Sequence, residues 1–224
     1  MAEKYFTKGT FQFMKDLADN NDREWFAENK GRYESAVKDP SLRFIEAFAP
    51  HLQKLSPHFM ATPRSLFRIY RDVRFSKDKT PYKTHTGIHF RHDRSKDAHA
   101  PGYYVHIEPG SVFATFGIWH PDGKALRAIR EHIVEEPAAW KKASRGKKFR
   151  ETVELSGDRL KRPPKDFDPE HPLIEDLKWK DFIAVKQLPQ SFLTAPDLPK
   201  RLTDLFKVGT PLMRFLCDAL GVAF

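Results

Sequence analysis

Apolar residues recur at helical spacing over the first quarter of the chain and at every second position over the stretch that follows. Phe11, Met14 and Leu17, three apart, predict a helix over 8–20. Asn20-Asn21-Asp22 breaks that pattern. Asn21 reads as the N-cap of a second helix over 22–37, with Glu24 three residues on completing a capping-box-like pair. That helix puts Phe26, Asn29, Tyr33 and Val37 on one face. Pro40 and Ser41 open a third helix, with Leu42, Ile45, Phe48, Leu52 and Leu55 as its apolar stripe. Pro50 is expected to kink or split it, because proline removes a helix hydrogen bond and clashes with the preceding turn.

Period-two alternation then predicts four strands, at 66–75, 85–91, 102–108 and 112–119. In the first, Phe67, Ile69, Val73 and Phe75 share the apolar face and Arg68, Tyr70, Asp72 and Arg74 the polar one. In the second, Thr86, Ile88 and Phe90 oppose His85, Gly87, His89 and Arg91. Pro109-Gly110 is a two-residue hairpin turn between the third and fourth. Setting Glu108 against Ser111 puts His106 opposite Phe113 and Tyr104 opposite Thr115. Tyr103, Val105, Ile107, Val112, Ala114, Phe116 and Ile118 then make one almost wholly apolar face, which a slip of one residue would scramble. The opposite face carries Arg68, Tyr70, Asp72, Arg74, His85, His89, Arg91, Tyr104, His106, Glu108, Phe113, Thr115 and Trp119, with gaps at Gly87 and Gly117.

Beyond the sheet, Asp122 caps a helix over 123–135, and Pro137 starts a short one through Trp140. Residues 141–170, dense in Lys and Arg and punctuated by Pro163, Pro164 and Pro169, read as a long ordered surface excursion. A helix follows at 171–178, then an edge strand at 181–187 through Phe182, Ala184 and Lys186. A last helix spans about 197–220, kinked at Gly209-Thr210-Pro211. The expected fold is α+β: N-terminal and C-terminal helices packed on one face of a curved, mainly antiparallel sheet. The layout expected is a single domain over 1–224, with a helical layer at about 8–58, the sheet at about 64–120, and helices and excursion at about 121–224.

Composition sharpens this picture at one place. Lys and Arg number 39 against 30 Asp and Glu in 224 residues, a net charge of +9. Residues 64–94 alone hold nine Lys or Arg and three Asp, a balance of +6 in about a seventh of the length. A basic chain favours anionic partners. The single cysteine, Cys217, excludes an internal disulfide and a cysteine-rich metal site, and it sits in an apolar helical pattern where thiols are inert. No stretch reaches the ~18 apolar residues of a membrane span. The N-terminal residues carry no apolar signal region, so a cytoplasmic location is expected. Walker, dinucleotide-binding and nucleophile-elbow motifs are absent.

The stretch Arg68-Ile69-Tyr70-Arg71-Asp72-Val73-Arg74-Phe75-Ser76-Lys77-Asp78-Lys79-Thr80-Pro81-Tyr82-Lys83 resembles the signature of the bacterial and fungal family catalogued as domain of unknown function 2461. Arg23 to Phe26 with Asn29-Lys30, the hairpin from Tyr104 to Gly110, and Leu160 to Pro164 resemble other parts of that family in the same order. The resemblance implies one intracellular domain of mixed helix and sheet. It brings no activity, cofactor or catalytic residue with it, so the candidate site rests on this chain's own residues.

Arg68, Arg74, Lys77, Lys79 and Lys83 form a candidate anion clamp, because Arg offers a planar fork to phosphate and Lys a mobile charge. Five cations about one turn repel one another unless something anionic lies near. Asp72 could orient the arginines; the alternative is a solvated face of weak ion pairs. Arg71, on the apolar face, needs a carboxylate partner if it is buried, in a structural role. Tyr70, Tyr82, Tyr104, Phe113 and Trp119 are candidates for stacking on bases, with Tyr70, Tyr104 and Trp119 the contacts to a small ligand's organic part, or else a second small core covered by the excursion or the last helix. His85, His89, His106 and Glu108 are the candidate catalytic residues for acid–base work, with polar lining as the plainer reading and no metal assigned. The expected function is binding of an anionic, phosphorylated small molecule, with phosphate-ester hydrolysis the first reaction to test. Alternatives are a nucleic-acid-binding module on the same face and a protein-interaction scaffold.

Overall fold

The computed structural model describes residues 3–94 and 100–224. Helix α1 (Lys8–Asp19) starts at a reciprocal capping box of Thr7 and Thr10 and buries Phe11, Phe13, Met14 and Leu17. Helix α2 (Arg23–Glu28) is capped by Asp22, whose carboxylate accepts the Trp25 amide at 2.9 Å, and not by Asn21 as expected. Asn21 is occupied elsewhere. Its side chain donates to the Tyr82 carbonyl (2.9 Å) and accepts the Tyr82 amide (3.0 Å), as a neighbouring strand would.

Helix α3 (Lys30–Tyr33), a π-helical turn (Glu34–Lys38) and α4 (Asp39–Gln53) follow without an extended break, and α4 is the expected third helix, beginning one residue before Pro40. The wide π turn ends just before Pro40 and places it in the first turn of α4, where a missing N–H costs little. Pro50 does not split α4, which runs through it to Gln53.

The strands are β1 (Phe59–Met60), β2 (Thr86–His92), β3 (Gly102–Glu108), β4 (Ser111–Ile118), β5 (Glu154–Ser156) and β6 (Phe182–Leu188). They form one open antiparallel sheet in the order β1-β2-β3-β4-β6-β5. The hairpin register is the expected one, with Glu108 against Ser111, His106 against Phe113 and Tyr104 against Thr115. Strand β6 is not an edge. It lies between β4 and the three-residue β5, which hides in the basic excursion with α6 (Pro137–Arg145) and α7 (Lys147–Thr152), after α5 (Gly123–Glu135).

The largest departure is at 66–75, which is not a strand. Residues 64–85 form an irregular out-and-back loop held by isolated bridges of Leu66 with Ile88 and of Tyr70 with Tyr82. Scattered backbone bonds tie it down, among them the Phe67 amide to Gly87, Arg71 to Pro81, and Lys83 to Ile69. The Asp72 and Asp78 side chains take the amides of Arg74 and Thr80 two residues on. This local bonding competes with a strand ladder. Phe75, expected on an inward face, is 96 % exposed.

The expected apolar sheet face is the buried one. Ile88, Phe90, Tyr103, Val105, Ile107, Phe116 and Ile118 all lie within it and, with the helices, form one continuous cluster. Phe48 of α4 meets Phe90, and Phe206 of α10 (Leu198–Val208) meets Tyr103 and Phe116, after the short α8 (Ile174–Leu177) and α9 (Gln190–Leu193). The kink at Gly209 separates α10 from α11 (Thr210–Ala219). It also has a packing reason, since a Cβ there would sit 2.4 Å from the Phe116 ring. Trp140 of α6 and Phe149 of α7 pack on Phe182 and Phe116 of this same face. The excursion therefore does not cover the polar face as a second core.

Candidate functional site

Alternation along β2, β3 and β4 delivers His89, Tyr104, Phe113 and Thr115 to the uncovered face, where they line a cleft of about 440 Å³. Phe67, Lys83, His85, Ala100, Gly102, Gly117, Trp119 and Ile183 complete its wall. Glycine matters at Gly87, just beneath. A Cβ there would meet the Tyr104 hydroxyl at 2.6 Å, so the missing side chain makes room for it.

Three groups spaced two apart on β3 form a hydrogen-bonded chain. His106 Nε2 lies 3.1 Å from Glu108 Oε2, and Tyr104 Oη lies 2.9 Å from His106 Nδ1. A carboxylate only accepts, so Nε2 carries the proton of the neutral ring and Nδ1 accepts from the Tyr104 hydroxyl. Thr84 Oγ1 donates to the other Glu108 oxygen at 3.0 Å. Phe113 stacks on the His106 ring at 4.5 Å and fixes its plane. Burial, with the Glu108 charge adding to it, raises the Tyr104 pKa, so the hydroxyl is held protonated.

His85 packs against His106 with the rings tilted by 33° and their centroids 4.6 Å apart, and its pKa is lowered chiefly by burial. His85, His106 and Glu108 stand close enough to hold a metal ion. An ion there would displace the bond from His106 to Glu108 Oε2, while Thr84 donates to the other oxygen. His89 is buried, its pKa pushed down to about 4 by burial with Arg91 adding to it, and its Nδ1 has no hydrogen-bond partner among the described residues. Lys83 also has a lowered pKa, from burial first and then from Arg68. Lys83 and Arg91 flank the Phe67 ring at 5.5 and 5.8 Å. Neither has a carboxylate within ion-pair distance among the described residues.

The structure therefore divides the expected constellation. Lys83, His85, His89, Tyr104 and Trp119 line the cleft; His106 and Glu108 stand behind Tyr104. Arg68, Tyr70, Asp72, Arg74, Lys77, Lys79 and Tyr82 do not line it. Arg74 is held fork-to-fork by Asp72 at 2.9 and 2.7 Å, which leaves the Asp72 carboxyl at about 2. Lys79 donates to the Val73 carbonyl, and Lys83 to that of Arg68. Tyr70 is exposed, whereas Tyr82 is buried against Phe26 at 4.1 Å. Arg71 finds the carboxylate it needs in Asp78, at 2.5 Å. Sequence reasoning misplaced Phe67, because alternation assigned it inward. Phe67, Thr84 and Ile183 could have been found only from pairing that brings the loop and β6 to this face.

Fold and cleft together define an α+β protein with helices on one face of an open antiparallel sheet and a polar, aromatic cleft on the other. The chain belongs to the family described as conserved hypothetical protein (DUF2461), which matches residues 9–215. No curated protein matches it.

Proposed function

We propose that the cleft binds an anionic, phosphorylated small organic molecule and that Tyr104, His106 and Glu108 move a proton for its hydrolysis. The observation that carries this reading is the hydrogen-bonded chain from Glu108 through His106 to a hydroxyl in the cleft. Lys83, a cleft-lining cation without a carboxylate partner among the described residues, suits the phosphate, and Arg91 on the Phe67 ring adds positive potential nearby. Phe67, Phe113 and Trp119 offer aromatic surface to the organic part. In the reaction, a water gives a proton to Tyr104 Oη as Tyr104 passes its own to His106 Nδ1, and Glu108 stabilises the imidazolium. The water oxygen bonds to phosphorus, the ester P–O bond breaks, and the leaving oxygen is protonated by solvent.

Thermal-shift titration with sugar phosphates, nucleotides and p-nitrophenyl phosphate tests this. Wild type should be stabilised by at least one class, and Lys83→Ala should weaken that binding at least tenfold. Tyr104→Phe should keep binding and lose turnover by roughly 100-fold or more, as removal of an acid–base group does. Stabilisation by none of these compounds overturns the reading; binding without turnover overturns the hydrolytic half alone.

One observation favours nucleic acid as a second reading. Phe75, almost fully exposed, carries the Arg74 guanidinium 5.8 Å from its ring centroid, with Lys77 two residues on. An exposed ring among cations suits an unpaired base.

A further inference from the structure

At the seam of β1 and β2, a second cluster that shares no residue with the relay on β3 has the chemistry of a ligand set. We propose that His58, His92 and Asp93 bind a divalent transition-metal ion, of which zinc is the reference, and that this ion staples the sheet edge to the last residues of the chain.

The backbone brings the three together. Phe59 pairs with His92 across the two strands, and the Asp93 amide donates to the His58 carbonyl at 2.7 Å. Asp93 presents one carboxylate oxygen 3.1 Å from His58 Nδ1 and the other 3.1 Å from His92 Nδ1. All three residues offer ligand atoms within 4.8 Å of one another. A metal with ligands at about 2.0–2.1 Å in tetrahedral geometry sets them about 3.3 Å apart. Each imidazole Nδ1 already stands within a few tenths of an ångström of that spacing from its own Asp93 oxygen, and the three ligand atoms of one set lie within 4.8 Å of one another. His58 need only turn its ring, and its side chain is one-third exposed.

The proton positions make the case. His92 Nε2 lies 2.7 Å from the Ala223 carbonyl oxygen, which only accepts, so Nε2 carries hydrogen. The Arg94 amide donates to His92 Nδ1 at 3.1 Å, which requires a lone pair there. That lone pair also faces Asp93 Oδ1, another acceptor. Two acceptors at this distance repel, and a shared proton would take the lone pair from the Arg94 amide. A cation between them resolves the clash and leaves that amide, on an exposed residue, to water. Two imidazoles and one carboxylate suit zinc and its neighbours. A backbone carbonyl holding the far N–H is the usual outer-shell support of a ligating histidine.

That carbonyl belongs to the next-to-last residue. Phe224 beside it packs against Phe59 at 5.9 Å and lies under the Arg214 guanidinium at 4.9 Å. The ion would thus join β1, β2 and the tail.

The test is calorimetric titration of the chelator-stripped full chain with Zn²⁺ at pH 7, with Co²⁺ absorption as a second readout. Wild type should bind one ion at this site and show the visible bands of a tetrahedral N,O site with Co²⁺. His58→Ala with Asp93→Asn, both at partly exposed side chains, should lose that ion while the melting temperature without metal is kept. Removing residues 223–224 should weaken affinity 10–100-fold. His85→Ala should leave the ion at His58, His92 and Asp93 bound, whatever it does to metal taken up by the separate cluster of His85, His106 and Glu108. Unchanged binding in the double variant, no binding at 100 μM ion as the chosen ceiling (~0.1 mM, on the order of the weakest useful site), or loss of the ion at His58, His92 and Asp93 on His85→Ala alone each overturns the proposal.

Discussion

His89 concentrates the physics of the cleft in one ring. Burial depresses its pKa to about 4, so the folded chain prefers it neutral, while the unfolded chain protonates it near its ordinary 6.5. Between these values the unfolded state binds more protons. Stability is therefore full above about pH 6.5 and drains away as pH falls toward about 4, by about 3 kcal/mol in all. Urea unfolding of wild type and His89→Gln across pH 4–7 checks this: the variant should lose most of that slope, and an equal slope in both would place its origin elsewhere. At this scale the sequence was informative wherever a strand ran straight. Period two alone put Tyr104, His106 and Glu108 on one side. It could not reveal that Gly87 makes room for the tyrosine hydroxyl, because that depends on which strand lies alongside.

Among the elements, the loop at 64–85 is the instructive failure. Its alternation is genuine, yet a strand also needs a partner for its amides. Asp72 and Asp78 supply local acceptors, and Asn21 takes the place of a strand beside Tyr82. Asn21→Ala should cost about 1–2 kcal/mol, the usual net worth of two hydrogen bonds. Amide exchange at Arg71 and Lys83 should quicken more than in the sheet, and exchange that quickens evenly over the whole chain would deny Asn21 this local role. Strand β6 misled for a related reason. Its three-residue neighbour β5 is too short to show alternation and lies in a charged stretch.

For the whole molecule, the arrangement of helices on one sheet face was legible, because the apolar set of β2, β3 and β4 is nearly pure and its mirror set is polar. The concentration of charge was legible too, but not its destination. Most of the basic loop points away from the cleft, with Arg74 and Arg71 already neutralised by Asp72 and Asp78. Salt separates the two functional readings. If the loop binds single-stranded nucleic acid through about four phosphates, log affinity should fall against log salt with a slope of about −3. A small phosphorylated ligand in the cleft should show a far shallower slope, measurable by fluorescence anisotropy between 50 and 300 mM salt (roughly the range over which such slopes are read).

The strand order has a consequence for biosynthesis. Strand β4 leaves the ribosome at Ile118, but the strand that closes its far side begins at Phe182, after α5 to α8 have been made. Until then β4 offers an unpaired row of backbone groups, with Phe113 on one side and Phe116 on the other. Such an edge invites pairing with other chains. The intervening residues 119–181 carry 15 Lys or Arg and 13 Asp or Glu, so what travels with that edge while it waits is a strongly hydrated but nearly charge-balanced segment, and protection of nascent copies rests on that hydration rather than on net repulsion.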